Sequence, residues 1–193
     1  MKKLLVIILQ SLFITSLIGQ HISQWRGAER NGNYEESNLL RQWPAEGPEL
    51  LWYSEEIGTG HSSASVTGER VYVTGREGDL EYLTSFNLEG IQLWKVPFGK
   101  GWHGSFPDSR STPNVVDTRV YVVSGMAEVV CLDAQTGDIM WAVDALKEFE
   151  GACTMWGFCE SPLVIDDKVI FTPGGMQTHM VALNRDNGET VWR

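Results

Sequence analysis

The stretch STPNVVDTRVYVVSG (residues 111–125) returns twice, as SSASVTGERVYVTG (62–75) and as ESPLVIDDKVIFTPGG (160–175). Val71, Val120 and Val169 stand 49 residues apart, and so do Ser63, Thr112 and Ser161. Each copy leads to a second landmark, a tryptophan: GIQLW ends at Trp94, GDIMW at Trp141 and GETVW at Trp192. These tryptophans are separated by 47 and 51 residues, so the length differences fall between the landmarks. Two anchors recurring in the same order three times define a repeat, which has to be read before any single motif.

Within each unit the signals are those of short strands and tight turns. RVYVV and KVIF are β-branched and aromatic runs suited to buried strands. TGER, VDTR and IDDK ahead of them supply Gly or Asp for a hairpin turn. LDAQTG and LNRDNG place Gly137 and Gly188 four residues after Asp133 and Asn184, where a glycine takes positive φ without strain. The third unit reads as four strands, at SPLVI, KVIFTP, MVALN and ETVW. Four-stranded units of about 40–50 residues in series are the blades of an all-β propeller. The 8 tryptophans and 20 glycines, with no long helical period, agree with that class.

The blade pattern S/T-P-x-V, R/K-V-Y/I, L-[DN]-x-x-[TN]-G and the closing Trp resembles the PQQ-like (pyrroloquinoline-quinone-type) β-propeller repeat family. WRGAERNG (25–32) and GPELLW (47–52) resemble the leader of its extracytoplasmic bacterial branch rather than that of a dehydrogenase. The resemblance implies a fold more strongly than an activity, because the family holds both enzymes and non-enzymes. One implied role is a non-catalytic binding or scaffold module, like the propeller subunit of the outer-membrane protein assembly machinery. The other is a quinone-dependent alcohol or sugar dehydrogenase using PQQ with calcium. Those enzymes stack their cofactor on a disulfide between adjacent cysteines, and no Cys-Cys pair occurs in this sequence.

The chain opens with Lys2 and Lys3 and an apolar run from Leu4 to Ile18, followed by Gly19. Residues 1–19 therefore read as a cleavable signal peptide, too short and too soon interrupted for a spanning helix. The expected location is periplasmic or secreted. Removing Lys2 and Lys3 leaves 13 basic against 25 acidic residues, a net charge of −12. That balance excludes nucleic acid and anionic membrane surfaces as natural partners.

Residues 20–48 then form a leader, 49–57 a closing strand, and 60–97, 109–144 and 159–193 three blades. Leu50, Leu51 and Trp52 match the blade-ending QLW, IMW and TVW. Three blades and a lone strand fall short of the usual ring of about 4–8. The expectation is an N-terminal portion of a longer propeller, with Glu49–Trp52 lacking its partner strands and with open blade edges.

Comparing blades separates scaffold from candidate site. Cys131 aligns with Ser85 and Ala182, a small buried position. Just ahead of each innermost strand the aligned pairs are His61-Ser62, Arg110-Ser111 and Cys159-Glu160, which differ in charge and size. His61, Arg110 and Glu160 are thus expected as a polar ring at the channel mouth, with Trp102 and Trp156 from the adjoining loops. An arginine beside an aromatic face suits a planar carboxylated ligand or a sugar; alternatively the ring solvates the channel and pairs internally. A protein partner at the same mouth is the third option.

Cys153 and Cys159 allow either a disulfide across five residues or two free thiols. His21, His61, His103 and His179 are scattered, so no metal site is read. TPGG (172–175) and TGREG (74–78) read as glycine turns with no helix following, so neither is a phosphate loop. GKGWHGS (99–105) reads as a rim loop, having no third group to orient its His and Ser.

Overall fold

A computed structural model describes residues 22–34 and 36–193; the expected signal peptide (1–19) and His21 lie outside the described residues. Among the described residues, thirteen strands and one short helix follow in order. A two-residue strand, β1 (Ile22–Ser23), comes first. Blade 1 comprises β2 (Ser65–Val66), β3 (Arg70–Glu77), β4 (Leu80–Asn87) and β5 (Gln92–Lys100). Blade 2 comprises β6 (Asn114–Val116), β7 (Arg119–Val123), β8 (Glu128–Asp133) and β9 (Ile139–Asp144), which runs into α1 (Ala145–Glu148). Blade 3 comprises β10 (Leu163–Ile165), β11 (Lys168–Phe171), β12 (Val181–Asn184) and β13 (Thr190–Trp192). Each blade is an antiparallel meander in chain order, and β1 adds a fifth strand to the inner edge of blade 2.

Blade 2 shows why these runs read as almost continuously apolar. Its sheet is buried on both faces, so the period-two alternation of a strand deals successive side chains to different cores. Val115, Val120, Val122, Val130 and Leu132 pack towards blade 1, with Tyr72, Leu83 and Phe98. Val116, Tyr121, Val123, Val129 and Cys131 pack towards blade 3, with Val164, Val169, Phe171, Val181 and Leu183.

One device joins the blades and repeats along the chain. The Trp94 indole lies over Gly137 of the next blade, and its Nε1 donates to the Gln135 carbonyl at 3.1 Å. Trp141 lies over Gly188 and donates to Arg185 at 3.0 Å. Trp52 lies over Gly90 and donates to Leu88 at 2.9 Å. Gly90, Gly137 and Gly188 have φ of 83°, 79° and 76°, the left-handed region, in turns folded by Asn87, Asp133 and Asn184 respectively. A Cβ on Gly137 would stand 2.9 Å from the Trp94 ring, so the position forbids a side chain on both conformational and steric grounds.

Directly across the ladder from each tryptophan sits the small residue the repeat alignment singled out. Ser85 faces Trp94, Cys131 faces Trp141 and Ala182 faces Trp192, each beside a register shift. All three small residues are fully buried. Burial pushes the Cys131 thiol up to about 11, so it is chemically inert at neutral pH.

The blades are also stitched at their inner ends. Ser63 N donates to Thr112 Oγ1, and Thr112 N to Ser161 Oγ, both at 3.0 Å. Asn114 Nδ2 donates to the Pro162 carbonyl at 3.1 Å. The first strands of the blades therefore adjoin one another and form the inner side of the array.

Two expectations need correction. Residues 49–52 form no strand: Leu50 and Leu51 are exposed, and the segment is anchored by the Trp52 indole instead of by a ladder. TGREG is not a turn after a strand, since Thr74–Glu77 lies inside β3 and the hairpin reverses at Gly78–Asp79. The second to fourth strands of blade 1 are longer than their counterparts, and β5 reaches Lys100 rather than stopping near residue 97.

Replacing Trp141 by Ala should empty the junction of blades 2 and 3. The expected loss is about 3–5 kcal/mol of unfolding free energy, read from the urea midpoint at unchanged m-value. A loss below about 1 kcal/mol would show that the docking contributes little.

Candidate functional site

The loops that precede β6 and β10, residues 101–113 and 149–162, meet at one end of the inner strands. They lock together. Ser105 Oγ donates to the Met155 carbonyl at 2.7 Å, and Phe158 N ties the second loop to the Gly125 carbonyl in the β7–β8 turn at 3.2 Å. Gly157, at φ 68°, lets the Trp102 ring and the Arg110 guanidinium press against the backbone: an added Cβ would stand 2.6 Å from one and 2.9 Å from the other.

The five residues expected at the mouth divide into three groups. His61 lies 3.9 Å from Asp108, which also accepts a 2.6 Å bond from Thr59 Oγ1 and faces Arg76 at 3.8 Å. It belongs to an exposed ionic cluster on the blade 1 side. Glu160 turns back on its own blade, accepting from Thr172 N at 2.7 Å and from the Thr172 hydroxyl. Ser62 and Ser111 make the equivalent tie, to Thr74 and Val123. Glu160 is thus a scaffold position as well as a lining residue of a cleft of about 460 Å³ with Phe158, Cys159, His179 and Met180. The ring of His61, Arg110 and Glu160 is not assembled as expected, because two of its members are held by local partners.

Trp102 and Arg110 sit together beneath Gly157. Trp102 Nε1 donates to the Ser105 carbonyl at 3.2 Å, while Arg110 Nε and Nη2 are buried without a hydrogen-bond partner. Trp156 reaches the surface. Its ring stacks on Phe106 at 5.9 Å and 27°, and both remain largely exposed, Trp156 at 48% and Phe106 at 69%. Met155 beside them is equally open at 69%. Cys131, Cys153 and Cys159 are all free thiols, so the 153–159 bridge is not formed. Burial raises the Cys153 thiol, and the nearby Arg110 charge opposes that rise.

Sequence reasoning missed Glu81. It is buried to 1% exposure at the junction of blades 1 and 2, accepting 2.7 Å from Ser109 Oγ and 2.9 Å from Gly125 N. Burial pushes its carboxyl up to about 7, against the pull of those bonds and of Arg110, while Glu128 adds to the rise. The equivalent position in blade 2 is the buried Ala127, so the same blade-by-blade comparison that found Arg110 contained the signal. The inner part of the site is a charged layer of Glu81 and Arg110 under Trp102, covered by the apolar rim of Phe106, Met155 and Trp156.

A carboxyl with a raised pKa stabilises the fold most fully below its unfolded value of 4.5, and that contribution is lost as pH rises through about 7. Relative to Glu81→Gln, the wild-type chain should lose on the order of 3 kcal/mol across that window, at about 1.4 kcal/mol per pH unit. Denaturant midpoints measured along the pH series check this; parallel profiles would mean that Glu81 stays ionised in the fold.

Comparison with known proteins gives one family and several structures. The sequence profile of the family described as "Outer membrane protein assembly factor BamB" matches residues 81–193. No curated protein matches the chain. Among solved structures, a europium-containing methanol dehydrogenase is 16% identical with a TM-score of 0.55, covering 75% of this chain and 26% of its own. Quinohemoprotein alcohol dehydrogenase from Comamonas testosteroni is 18% identical with a TM-score of 0.53, covering 70% and 21%. BamB from Moraxella catarrhalis is 19% identical with a TM-score of 0.50, covering 74% and 41%. These likenesses show a shared fold, and the chain spans between about a fifth and two fifths of those proteins. With the profile match extending over more than half its length and three sheets built on one repeat, the chain belongs to the BamB-like, PQQ-like repeat β-propeller family.

Proposed function

We propose that the protein is an extracytoplasmic, non-catalytic propeller that docks a protein partner on the rim formed by its two interlocked loops. The observation that carries this reading is the exposed Phe106–Trp156 stack with Met155 alongside. Contiguous exposed apolar surface on an otherwise acidic chain marks an interaction site. Aromatic and methionine side chains are enriched at the centres of such interfaces. The stack is supported from below, because Ser105, Trp102 and Gly157 fix both loops before a partner arrives. The family's description as an assembly factor supports a partner-binding role. The apolar run at residues 4–18 supports export, to the periplasm or beyond. No helix among the described residues is long and apolar enough to cross a membrane.

The second reading, a PQQ-dependent dehydrogenase with calcium, draws on Arg110 beside Trp102 and on the dehydrogenases among the similar structures. The residues present fit that cofactor poorly. Both Glu160 oxygens are taken by Thr172, and among the described residues no three His, Cys, Asp or Glu side chains converge to hold a metal ion. A sugar or other small ligand would use the same aromatic faces and is covered by the same test.

A photo-crosslinker at Met155, used in envelope preparations, should trap one protein in defined stoichiometry. The double change Phe106→Ala and Trp156→Ala should cut recovery about tenfold or more, as loss of central aromatic anchors does. Titration with PQQ and calcium, followed by dye reduction with alcohols and sugars, tests the second reading. Saturable binding with turnover would replace the scaffold assignment.

A further inference from the structure

The leader runs across the inner edges of the blades, and one repeat position explains how. Val66, Val115 and Val164 are equivalent, 49 residues apart on β2, β6 and β10. Ser23 Oγ donates to the Val66 carbonyl at 2.7 Å. Ser23 itself pairs with Val115, and Ile22 with Val116, as β1 extends the sheet of blade 2. Arg30 Nη2 donates to the Val164 carbonyl. One short segment therefore reads the same backbone position in all three blades, using a hydroxyl, a strand edge and a guanidinium.

The segment between these contacts is built for the purpose. Gly27 N bonds back to Gln24 O, Arg30 N to Gly27 O and Gly32 N to Arg26 O, at 3.0–3.1 Å. Gly27 and Gly32, both at φ 75°, permit the reversals. Tyr34 Oη donates to Trp25 O at 2.7 Å and closes the far side. The WRGAERNG motif thereby becomes a compact knot that holds Arg30 inward, with its Nε buried and unpartnered. First strands that adjoin across blades leave unpaired backbone groups along their inner edges, and such edges need a partner.

We propose that residues 22–34 are an intramolecular strap, a strand-and-arginine ligand that clamps the inner-strand edges of the three blades to one another.

Hydrogen exchange of the purified chain, read by mass spectrometry, tests the strap. Residues 22–34 and 114–116 should be protected in the wild type. Arg30→Ala and Ser23→Ala should each speed exchange of 22–34 about tenfold while leaving Ile139–Asp144 unchanged as a control on folding. A chain lacking residues 22–34 should expose 114–116. If that shortened chain loses protection at Ile139–Asp144, the two point variants decide. Wild-type residues 22–34 exchanging as freely as an unstructured peptide, or indifferent to Arg30→Ala, would overturn the proposal.

Discussion

Everything in this fold depends on an indole lying flat on a glycine. The last strand of one blade delivers a tryptophan, and the turn between the third and fourth strands of the next offers a residue without a side chain. The hydrogen bond from the indole fixes the rotation of the ring, and the flat contact fixes the spacing of the sheets. A strand position that must also hold a small residue opposite the tryptophan ties three separate parts of each unit together. Arg70 and Tyr72 send further bonds to the same turn of blade 2, and Arg119 and Tyr121 do so for blade 3. The interface is thus a polar clasp around an apolar face, and it sets the angle at which neighbouring loops approach.

That angle is what creates the site. Loops 101–113 and 149–162 would be separate excursions on an isolated sheet. Held side by side, they bury a carboxylate and a guanidinium beneath Trp102 and raise an aromatic pair above it. Glu81 is the member of this layer whose charge changes near neutrality, since burial lifts its carboxyl to about 7. The charge of this layer therefore follows the medium through a residue that no outside ligand need touch.

The blades were legible because their signals are local and repeated. Val120 and its equivalents, the turn glycines and the three tryptophans each obey a rule that a sequence states outright. Cys131 was placed correctly by comparison with Ser85 and Ala182. The site was half legible. Arg110, Trp102 and Trp156 could be brought to one rim by counting from the strands, but Glu160 has a local partner in Thr172 twelve residues on. Ser62 and Ser111 make the same tie, and no spacing rule distinguishes a carboxylate that caps a strand from one that meets a ligand. Residues 49–52 read as a strand because their pattern copies a blade ending, yet a strand needs a neighbour to pair with. The chain keeps only the part of that pattern, Trp52, that acts through a side chain. Glu81 escaped notice because a glutamate in an alternating strand looks like a solvent-facing residue until its burial is known.

The docking of Trp52 carries a consequence for association. Each blade junction is directional, with a donor indole on one side and an acceptor turn on the other, so it is heterologous and able in principle to propagate from molecule to molecule. In blade 1 the acceptor turn at Gly90 is already filled by an indole of the same chain. Trp52 satisfies that acceptor turn from within, so this face of blade 1 offers no empty indole seat to another molecule.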